Sequence, residues 1–322
     1  MTNIKDVAKE AGLAVGTVSR VLNNRGYISE STRKKVYDAM ERLNYKPNEI
    51  ARSLYRKRSN ILGVIVPSVS HPFFAELTGY IEFYAYQAGY KVMICNSYAD
   101  RTKEKDYIEL INRNQVDGFI ATIYTKDSEE YINSSLPLVT IDRSFDGIPY
   151  ITSDHYDGGV QATKFLIEKG CKKIAHISGE LGIATIANNR SKAFYDVVSQ
   201  SDIEYVVKEA KLATFEEYKK SAVKLFQEHP DIDGVFASSD IIAASLIHVA
   251  GLYNRLVPKD LKIVGYDDID MAAMTVPPLT SIKQNIEKIA ELAVNVLLDK
   301  IEGRNVAIAN VLPIDLIERK TT

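Results

Sequence analysis

A run of hydroxyl, amide and guanidinium side chains near the start of the chain could bind a nucleic acid. Hydroxyl and amide groups donate hydrogen bonds to phosphate oxygens, which positions a protein on the backbone without reading its sequence. A guanidinium group can donate a bidentate pair to guanine, whereas a valine can contact only an apolar group such as a thymine methyl. The candidate contacts are Val15, Gly16, Thr17, Ser19, Arg20 and Asn23.

A second set of polar and aromatic side chains follows the predicted strands of the rest of the chain. Carboxylates accept hydrogen bonds from hydroxyl groups, and guanidinium groups offer a planar fork of donors. Phenylalanine rings can stack on the apolar face of a sugar ring, and the chain has no tryptophan for that role. The candidates for this ligand site are His71, Phe73, Phe74, Asp142, Arg143, Arg190, Ser239, Asp267 and Gln284.

Three short helices are predicted to position the first set. Apolar residues recur at helical spacing over 4–11, and Gly12 suits the end of that helix because glycine readily adopts left-handed backbone conformations. Further apolar periods cover 18–22 and 36–43. Two short helices joined by a glycine-bearing turn form a helix-turn-helix, whose second helix enters the major groove. A plain three-helix bundle is the alternative that spacing alone leaves open.

From residue 61 short apolar runs alternate with helical periods, which indicates an α/β fold of parallel sheets in two lobes, the first being 61–150. Ligands of such sheets bind beyond the carboxyl ends of the strands, so a shared cleft is predicted there. Each polar residue there could instead be an ordinary loop or helix cap, as Asp154 and Asp240 are predicted to be. The predicted strands are 61–66, 91–95, 118–123, 138–141, 173–177, 233–237, 261–265, 279–282 and 311–317, and the helices include 73–88, 102–114, 156–169, 187–200, 214–228, 240–251 and 285–302.

The composition is that of a globular protein. Its 322 residues are 46% hydrophobic and 25% charged, which argues against a disordered, fibrous or membrane protein and favours two or three domains. The first ten residues lack the apolar region of a secretory signal. Cys95 and Cys171 are too few and too far apart for a disulfide framework or a zinc cluster. We therefore expect a cytoplasmic protein without a cofactor.

The charge is divided unevenly along the chain. The first 60 residues contain 13 Lys and Arg against six Asp and Glu, and the remainder is acidic enough to bring the formal net charge to −2. A basic segment on an acidic body favours contact with a polyanion. Chance clustering on a solvated surface is the alternative that charge alone leaves open.

Residues 47–60 are predicted to link a domain at 1–46 to a domain at 61–322. Pro47 disfavours helix at the residue before it, and a helix of about eight residues after it is too short to be stable alone in water. Leu54 on such a helix is either a minor core residue or a wedge.

Two segments of the first domain carry a specific pattern, Thr2-x-Ile4-x-Asp6-Val7-Ala8-x-x-Ala11-Gly12 and Thr17-Val18-Ser19-Arg20-Val21-Leu22-Asn23. This pattern resembles the DNA-binding signature of the LacI/GalR family of bacterial repressors. The resemblance implies a DNA-binding repressor, not an enzyme, that binds a double-stranded operator as a homodimer. The family usually has Val-Ser after the glycine, where this chain has Leu13-Ala14 and so lacks the serine hydroxyl that would donate to a phosphate.

The linker and the body carry the same resemblance. Ala51-Arg52-Ser53-Leu54 is similar to the family's hinge helix, which implies that Ala51 and Leu54 contact the minor groove and that Leu54 is inserted at the central base step.

The body, residues 61–322, resembles periplasmic sugar-binding proteins, which implies a small sugar effector of the ribose, fructose or sucrose type that releases a palindromic operator. Two asparagines usual there are replaced by His71 and Ser239. The matching segments are His71-Pro72-Phe73-Phe74, Ile141-Asp142-Arg143, Arg190 ahead of Phe194, Gly265-Tyr266-Asp267 and Lys283-Gln284.

Other functions would require motifs or segments whose presence can be checked in the sequence. An enzyme is not favoured, because the chain has no Walker, nucleophile-elbow, HExxH or dinucleotide motif and its five histidines lack metal spacing. Gly158-Gly159 could bind a phosphate, although close packing is the favoured reason for it. A transport protein without DNA activity conflicts with the missing signal and the basic segment. A purine co-repressor and a phosphocarrier-protein partner remain open.

Overall fold

The computed structural model describes residues 2–23, 25–46, 58–113, 115–133, 135, 137–211 and 214–322. The chain divides into two compact units, Met1–Asn60 and Ile61–Thr322. No helix within the described residues is long and apolar enough to cross a membrane.

The first unit contains the helices α1 (Ile4–Ala11), α2 (Val15–Leu22) and α3 (Glu30–Arg42). Asn3 and Asp6 form a reciprocal capping box at the start of α1, and Gly12 ends it with a φ of 65°. The turn after Gly12 leads directly into α2, which gives the helix-turn-helix that the spacing predicts. Its core consists of Val7, Ala8, Val18, Val21, Val36 and Ala39.

The second unit has two lobes, each built on a six-stranded sheet with an apolar core on either face. The sheet of the first lobe consists of β1 (Ile61–Val66), β2 (Lys91–Asn96), β3 (Gly118–Ala121), β4 (Leu138–Ile141), β5 (Tyr150–Ser153) and β11 (Ala309–Leu312). That of the second lobe consists of β6 (Lys173–Ser178), β7 (Glu204–Glu209), β8 (Gly234–Ala237), β9 (Lys262–Asp267), β10 (Thr280–Gln284) and β12 (Ile314–Ile317). The helices are α4 (Pro72–Gln87), α5 (Arg101–Asn112), α6 (His155–Glu168), α7 (Asn189–Val198), α8 (Phe215–Glu228), α9 (Asp240–Leu252), α10 (Asp270–Met274) and α11 (Ile286–Ile301).

Both sheets are mostly parallel, as the alternation of strands and helices predicts. The order is β11-β5-β4-β3-β1-β2 in the first lobe and β12-β10-β9-β8-β6-β7 in the second. The pair β10–β12 is antiparallel.

The chain passes between the lobes three times, after β5, after β10 and after β11. The first lobe therefore takes α11 and β11 from the end of the chain, which corrects the simpler division at residue 150. The apolar face of α11 packs against α4 and the strands of the first lobe, with Ile289, Ala290, Ala293 and Leu297 fully buried. We refer to these three crossovers as the hinge of the second unit.

The strands differ from the sequence-based prediction in three places. The sequence does not predict β5, which has only four residues, or β7, a charged edge strand. The predicted strand 311–317 is two strands, β11 and β12, which lie in different sheets. Pro313 separates them, because proline has no N–H to donate to a sheet ladder.

Gly158 and Gly159, near the start of α6, allow close packing rather than phosphate binding. A Cβ atom on Gly158 would lie 2.6 Å from the Tyr266 hydroxyl, and one on Gly159 would lie 2.5 Å from the Arg190 carbonyl oxygen. Their small size therefore lets α6 approach α7 and β9, which carry two residues of the site described below.

Candidate functional site

The helix α2 buries one side in the core of the first unit and presents the other to solvent. Val18 and Val21 are fully buried, whereas Val15 is 40% exposed. Ala14, the N-cap residue, gives no side-chain hydrogen bond, so the first N–H groups of α2 have no side-chain cap. Such a helix start attracts anions. The exposed or half-exposed face contains Val15, Gly16, Thr17, Ser19 and Arg20.

Asn23 is placed differently from the other predicted DNA contacts. It is the C-cap residue of α2, and its Nδ2 donates to the Ser19 carbonyl oxygen at 2.9 Å. Its Oδ1 is buried without a hydrogen-bond partner among the described residues. The two contacts predicted in the linker, Ala51 and Leu54, lie outside the described residues.

In the second unit a cavity lies between the lobes, at the carboxyl ends of their strands. Its lining residues end or follow strands β1 to β4 in the first lobe and β6 to β10 in the second, with α7 and α8 completing the wall. This is the edge at which open α/β sheets bind ligands. The structure brings eight of the nine predicted ligand-site residues together here: His71, Phe73, Phe74, Asp142, Arg190, Ser239, Asp267 and Gln284.

The Asp142 carboxylate, at the end of β4, is oriented through one of its oxygens. Its Oδ1 accepts a hydrogen bond from the Thr152 hydroxyl at 2.7 Å and lies 2.8 Å from Nε2 of His155. Burial raises the pKa of Asp142, but His155 and the Arg190 charge outweigh that effect and hold the pKa below its usual value. The second oxygen, Oδ2, accepts no hydrogen bond from the described residues and remains for a ligand.

The Arg190 guanidinium, on α7, is held from three sides. Its Nη1 donates to the Ser238 carbonyl oxygen at 2.6 Å, and its Nε donates to Nδ1 of His155 at 3.2 Å. The guanidinium carbon lies 3.8 Å from the centroid of the Tyr266 ring, a cation–π contact. The orientation of the remaining N–H donors is therefore fixed.

Asp267, at the end of β9, is the second carboxylate of the cavity. Its Oδ1 accepts from Nε2 of Gln284 at 2.8 Å, and Oε1 of Gln284 accepts from the Ser153 hydroxyl at 2.8 Å. Burial raises the pKa of Asp267 to about 7, although the Arg190 charge opposes the rise. Ser153 and Gln284 lie at two of the three crossovers, so this chain of hydrogen bonds joins a cavity carboxylate to the hinge.

Aromatic rings form the apolar wall of the cavity. The Phe73 and Phe74 rings meet edge to face with centroids 5.2 Å apart, and Phe74 meets Tyr124 in the same way at 5.9 Å. His71 precedes them, and burial lowers its pKa to about 4, so its ring is neutral near pH 7. The wall offers flat apolar surface beside the charged groups.

Arg143 is the one predicted ligand-site residue that does not line the cavity. Its Nη1 donates to the Thr125 carbonyl oxygen at 3.1 Å, and its Nη2 donates to the Ser128 hydroxyl at the same distance. The guanidinium also lies over the Phe145 ring. The Glu129 carboxylate, 3.6 Å from Nη2, compensates the buried cation. Because all these partners lie within the first lobe, Arg143 supports the segment after β3.

Ser239, and not Asp240, is the N-cap residue of α9. Ser239 lines the cavity and also caps α9, because its hydroxyl accepts from the Ile242 N–H at 3.4 Å. Asp240 is fully buried and is not the cap residue. Its carboxylate accepts from the Ile269 N–H at 2.9 Å and from the Ser281 hydroxyl at 2.5 Å. Asp240 therefore ties α9 to β10 and to the segment after β9. Asp154, by contrast, caps α6 as predicted.

Several cavity residues escape the sequence analysis. Tyr124 follows β3 and could have been found by the same rule that finds the others, because it comes just after a strand. Tyr218, on α8, gives no such signal. The segment after β6 also contributes to the lining, through Gly179, Glu180, Ile183, Thr185, Ala187 and Asn188.

A basic segment that folds as a helix-turn-helix, joined to a two-lobed α/β unit with a ligand cleft, defines a DNA-binding regulator that responds to a small molecule. No cluster of metal-ligating side chains occurs within the described parts of the chain. Residues 3–48 match the model of bacterial regulatory proteins of the lacI family, and residues 163–322 match a periplasmic binding protein-like domain. The protein belongs to the LacI family of bacterial transcriptional repressors, a non-enzymatic family.

Individual relatives agree with this assignment over the whole length. The chain is 38% identical to the ribose operon repressor of Halalkalibacterium halodurans over 100% of its own length and 97% of the relative. It is 37% identical to the sucrose operon repressor of Streptococcus mutans over 98% of both chains. A crystal structure of the lac repressor dimer bound to operator and the anti-inducer ONPF matches with a TM-score of 0.87 at 27% identity, covering 99% of this chain and 98% of that one.

Proposed function

We propose that the protein represses carbohydrate-utilisation genes and is released from a palindromic operator by a small sugar that binds in the cavity of the second unit. The observation that carries this proposal is the meeting of Asp142, Arg190 and Asp267 with an aromatic wall at the strand ends of both lobes. A ligand there contacts both lobes at once, so its binding energy can alter their relative position.

A sugar satisfies the donors and acceptors of this cavity. The open oxygen of Asp142 accepts from hydroxyl groups, and the remaining donors of Arg190 serve sugar oxygens. The rings of Phe73 and Phe74 offer apolar surface for C–H groups. A neutral polyol leaves the Asp142 and Arg190 charges compensated within the protein, where their existing partners hold them.

The sugar is of the furanose type, such as ribose, fructose or the fructose-bearing disaccharide sucrose. Two full-length relatives are repressors of ribose and sucrose operons. Ribose can adopt a five-membered ring, and sucrose contains one. His71 and Ser239, which replace asparagines usual in similar proteins, are the positions at which selectivity among these sugars would be set.

On the DNA side, α2 enters the major groove and Arg20 reads a guanine. Thr17 and Ser19 donate to phosphates, and Val15 contributes an apolar contact. Leu54, in the linker, is inserted into the minor groove, and the linker becomes helical only when its dimer mate and the DNA are present.

The experiment is a binding panel of D-ribose, D-fructose, sucrose and hypoxanthine, read by thermal shift and then by release of a fluorescent operator selected from random DNA. A sugar that raises the Tm and releases the operator supports the proposal. Hypoxanthine that tightens operator binding would replace it with the purine co-repressor. In a parallel operator assay with a phosphorylated phosphocarrier protein added, tightening by that protein and by none of the small molecules would replace the sugar with a protein signal.

A further inference from the structure

One deeply buried histidine beside the cavity is not among its lining residues. His155, the first residue of α6, is 1% exposed and stands directly after the first crossover between the lobes. Both ring nitrogens contact groups of the site. Nε2 lies 2.8 Å from Oδ1 of Asp142, and Nδ1 lies 2.9 Å from the Tyr266 hydroxyl and 3.2 Å from Nε of Arg190.

These contacts assign the proton on the ring. Nε of Arg190 can only donate, so Nδ1 must accept and carries no proton. The single ring proton therefore lies on Nε2 and is donated to the Asp142 carboxylate. Burial lowers the pKa of His155, which agrees with a neutral ring. The charged or titratable groups around the ring are Asp142 at the end of β4, Asp154 before α6, Arg190 on α7 and Tyr266 on β9.

The ring joins groups from both lobes. Asp142 belongs to the first lobe, whereas Arg190 and Tyr266 belong to the second. Gly158 makes this arrangement possible, because any larger residue there would meet the Tyr266 hydroxyl. The contact lies beside a crossover, where the chain segments move least when two lobes rotate about their hinge.

We propose that His155 is the positioning residue of the effector site, which fixes the Asp142 carboxylate and the Arg190 guanidinium in the orientation that the effector meets. With Oδ1 of Asp142 occupied by His155 and Thr152, Oδ2 is the oxygen presented to the ligand. With Nε of Arg190 donating to His155 and Nη1 donating to the Ser238 carbonyl oxygen, the remaining terminal N–H donors are presented. This inference rests on the proposed function of the cavity as the effector site.

The first test compares His155→Leu with His155→Gln in the full-length protein, by calorimetry with whichever panel compound binds the parent. Leucine removes the donor and the acceptor, so affinity falls roughly 10- to 100-fold, as for lost hydrogen bonds to charged partners. Glutamine offers an N–H and a carbonyl oxygen at a similar reach, so it recovers most of that loss. Thermal unfolding of both variants without effector checks that each of them is folded.

The second test needs no effector. Nitrogen-15 NMR of labelled histidine in the effector-free protein should show His155 as the neutral Nε2–H tautomer, unchanged between pH 6 and 8, with its Nε2 resonance shifted by Asp142→Asn. A protonated ring, or a proton on Nδ1, contradicts the proposal.

The outcomes separate two failures. If no sugar binds the parent, the proposed function fails and the NMR assignment decides the role of His155 by itself. If the parent binds a panel compound and His155→Leu binds it equally well, the positioning role is wrong. A glutamine variant no better than leucine also contradicts it, because the ring would then serve only to fill space.

Discussion

The two cavity carboxylates differ in the direction in which the protein shifts their pKa. Asp142 has His155 and Thr152 on one oxygen and the Arg190 charge nearby, and its pKa lies below the usual value. Asp267 has only the Gln284 amide as a direct hydrogen-bond partner among the described residues, and burial raises its pKa to about 7. One group is therefore ionised at all physiological pH values, whereas the other titrates within that range.

This difference predicts how stability depends on pH. The pKa of Asp267 is about 7 in the folded protein and about 3.9 in an unfolded chain. Between these values the folded state holds a proton that the unfolded state has lost, so stability falls as the pH rises from about 4 to 7. Asp267→Asn removes this effect and should raise the free energy of unfolding by about 2–4 kcal/mol at pH 8.

The measurement is thermal unfolding of the effector-free protein and the variant at pH 4 and pH 8. At pH 4, where Asp267 of the parent is protonated, the two proteins should unfold at nearly the same temperature. An equal gain at both pH values would show that the asparagine acts through packing and not through the charge of Asp267.

Arg20→Ala tests the reading residue of α2. We expect a loss of about 1–3 kcal/mol in operator binding and a relaxed preference at one base pair of each half-site. A matched control is Arg42→Ala, because Arg42 is also an exposed arginine of the first unit but pairs with Glu10. Both variants lose one positive charge. Equal losses without a change in base preference would mean that Arg20 contacts only phosphate.

At the scale of elements, the packing of α6 against α7 positions the site, since α7 carries Arg190 and α6 begins with His155. Gly159 permits that packing. Gly159→Ala should destabilise the second unit by about 1–3 kcal/mol, as overpacking does, because the added Cβ would lie 2.5 Å from the Arg190 carbonyl oxygen.

The control for this substitution is Gly79→Ala, within α4, where a Cβ would meet nothing within 4 Å. Alanine is a better helix former than glycine, so a gain of up to about 1 kcal/mol is expected. Chemical unfolding of both variants tests the contrast. Equal effects would show that the approach of α6 to α7 does not depend on Gly159.

The sequence is sufficient to predict the elements whose pattern is local. Helical periods and buried strands such as β1 and β4 show in the residues themselves, and the strand-end rule finds part of the cavity lining. The strands β5 and β7 and the split at Pro313 are missed because pairing partners, not local pattern, define them. The sequence predicts Arg143 at the cavity, which it does not line. The reason is similar, since only the folded lobe shows that its N–H groups donate to Thr125 and Ser128.

At the scale of the whole molecule, the protein is expected to be a homodimer held through the second unit. One helix-turn-helix makes few contacts, and two half-sites require two copies. Large apolar side chains remain exposed on α4 and around the end of α9, among them Phe83, Tyr86, Leu252 and Leu256. Light scattering of the DNA-free protein should give the mass of two chains. A stable monomer, or a tetramer, would contradict this expectation.

The three crossovers connect the two lobes that line the cleft. If the proposed sugar draws the lobes together, we expect it to move the first lobe, which begins with β1, relative to the second. We then expect the sugar to bind the DNA-free state more tightly than the operator-bound state, and linkage requires the operator to weaken sugar binding by the same factor.

The most direct test of the account is operator affinity measured across a titration of the sugar that binds the parent, for the parent and for Asp267→Ala. The account predicts that the sugar weakens operator binding of the parent by about 5- to 150-fold. It also predicts that the operator weakens sugar binding by the same factor, and that Asp267→Ala binds the operator normally but is not released. Tighter operator binding in the presence of sugar, or normal release of Asp267→Ala, would contradict it.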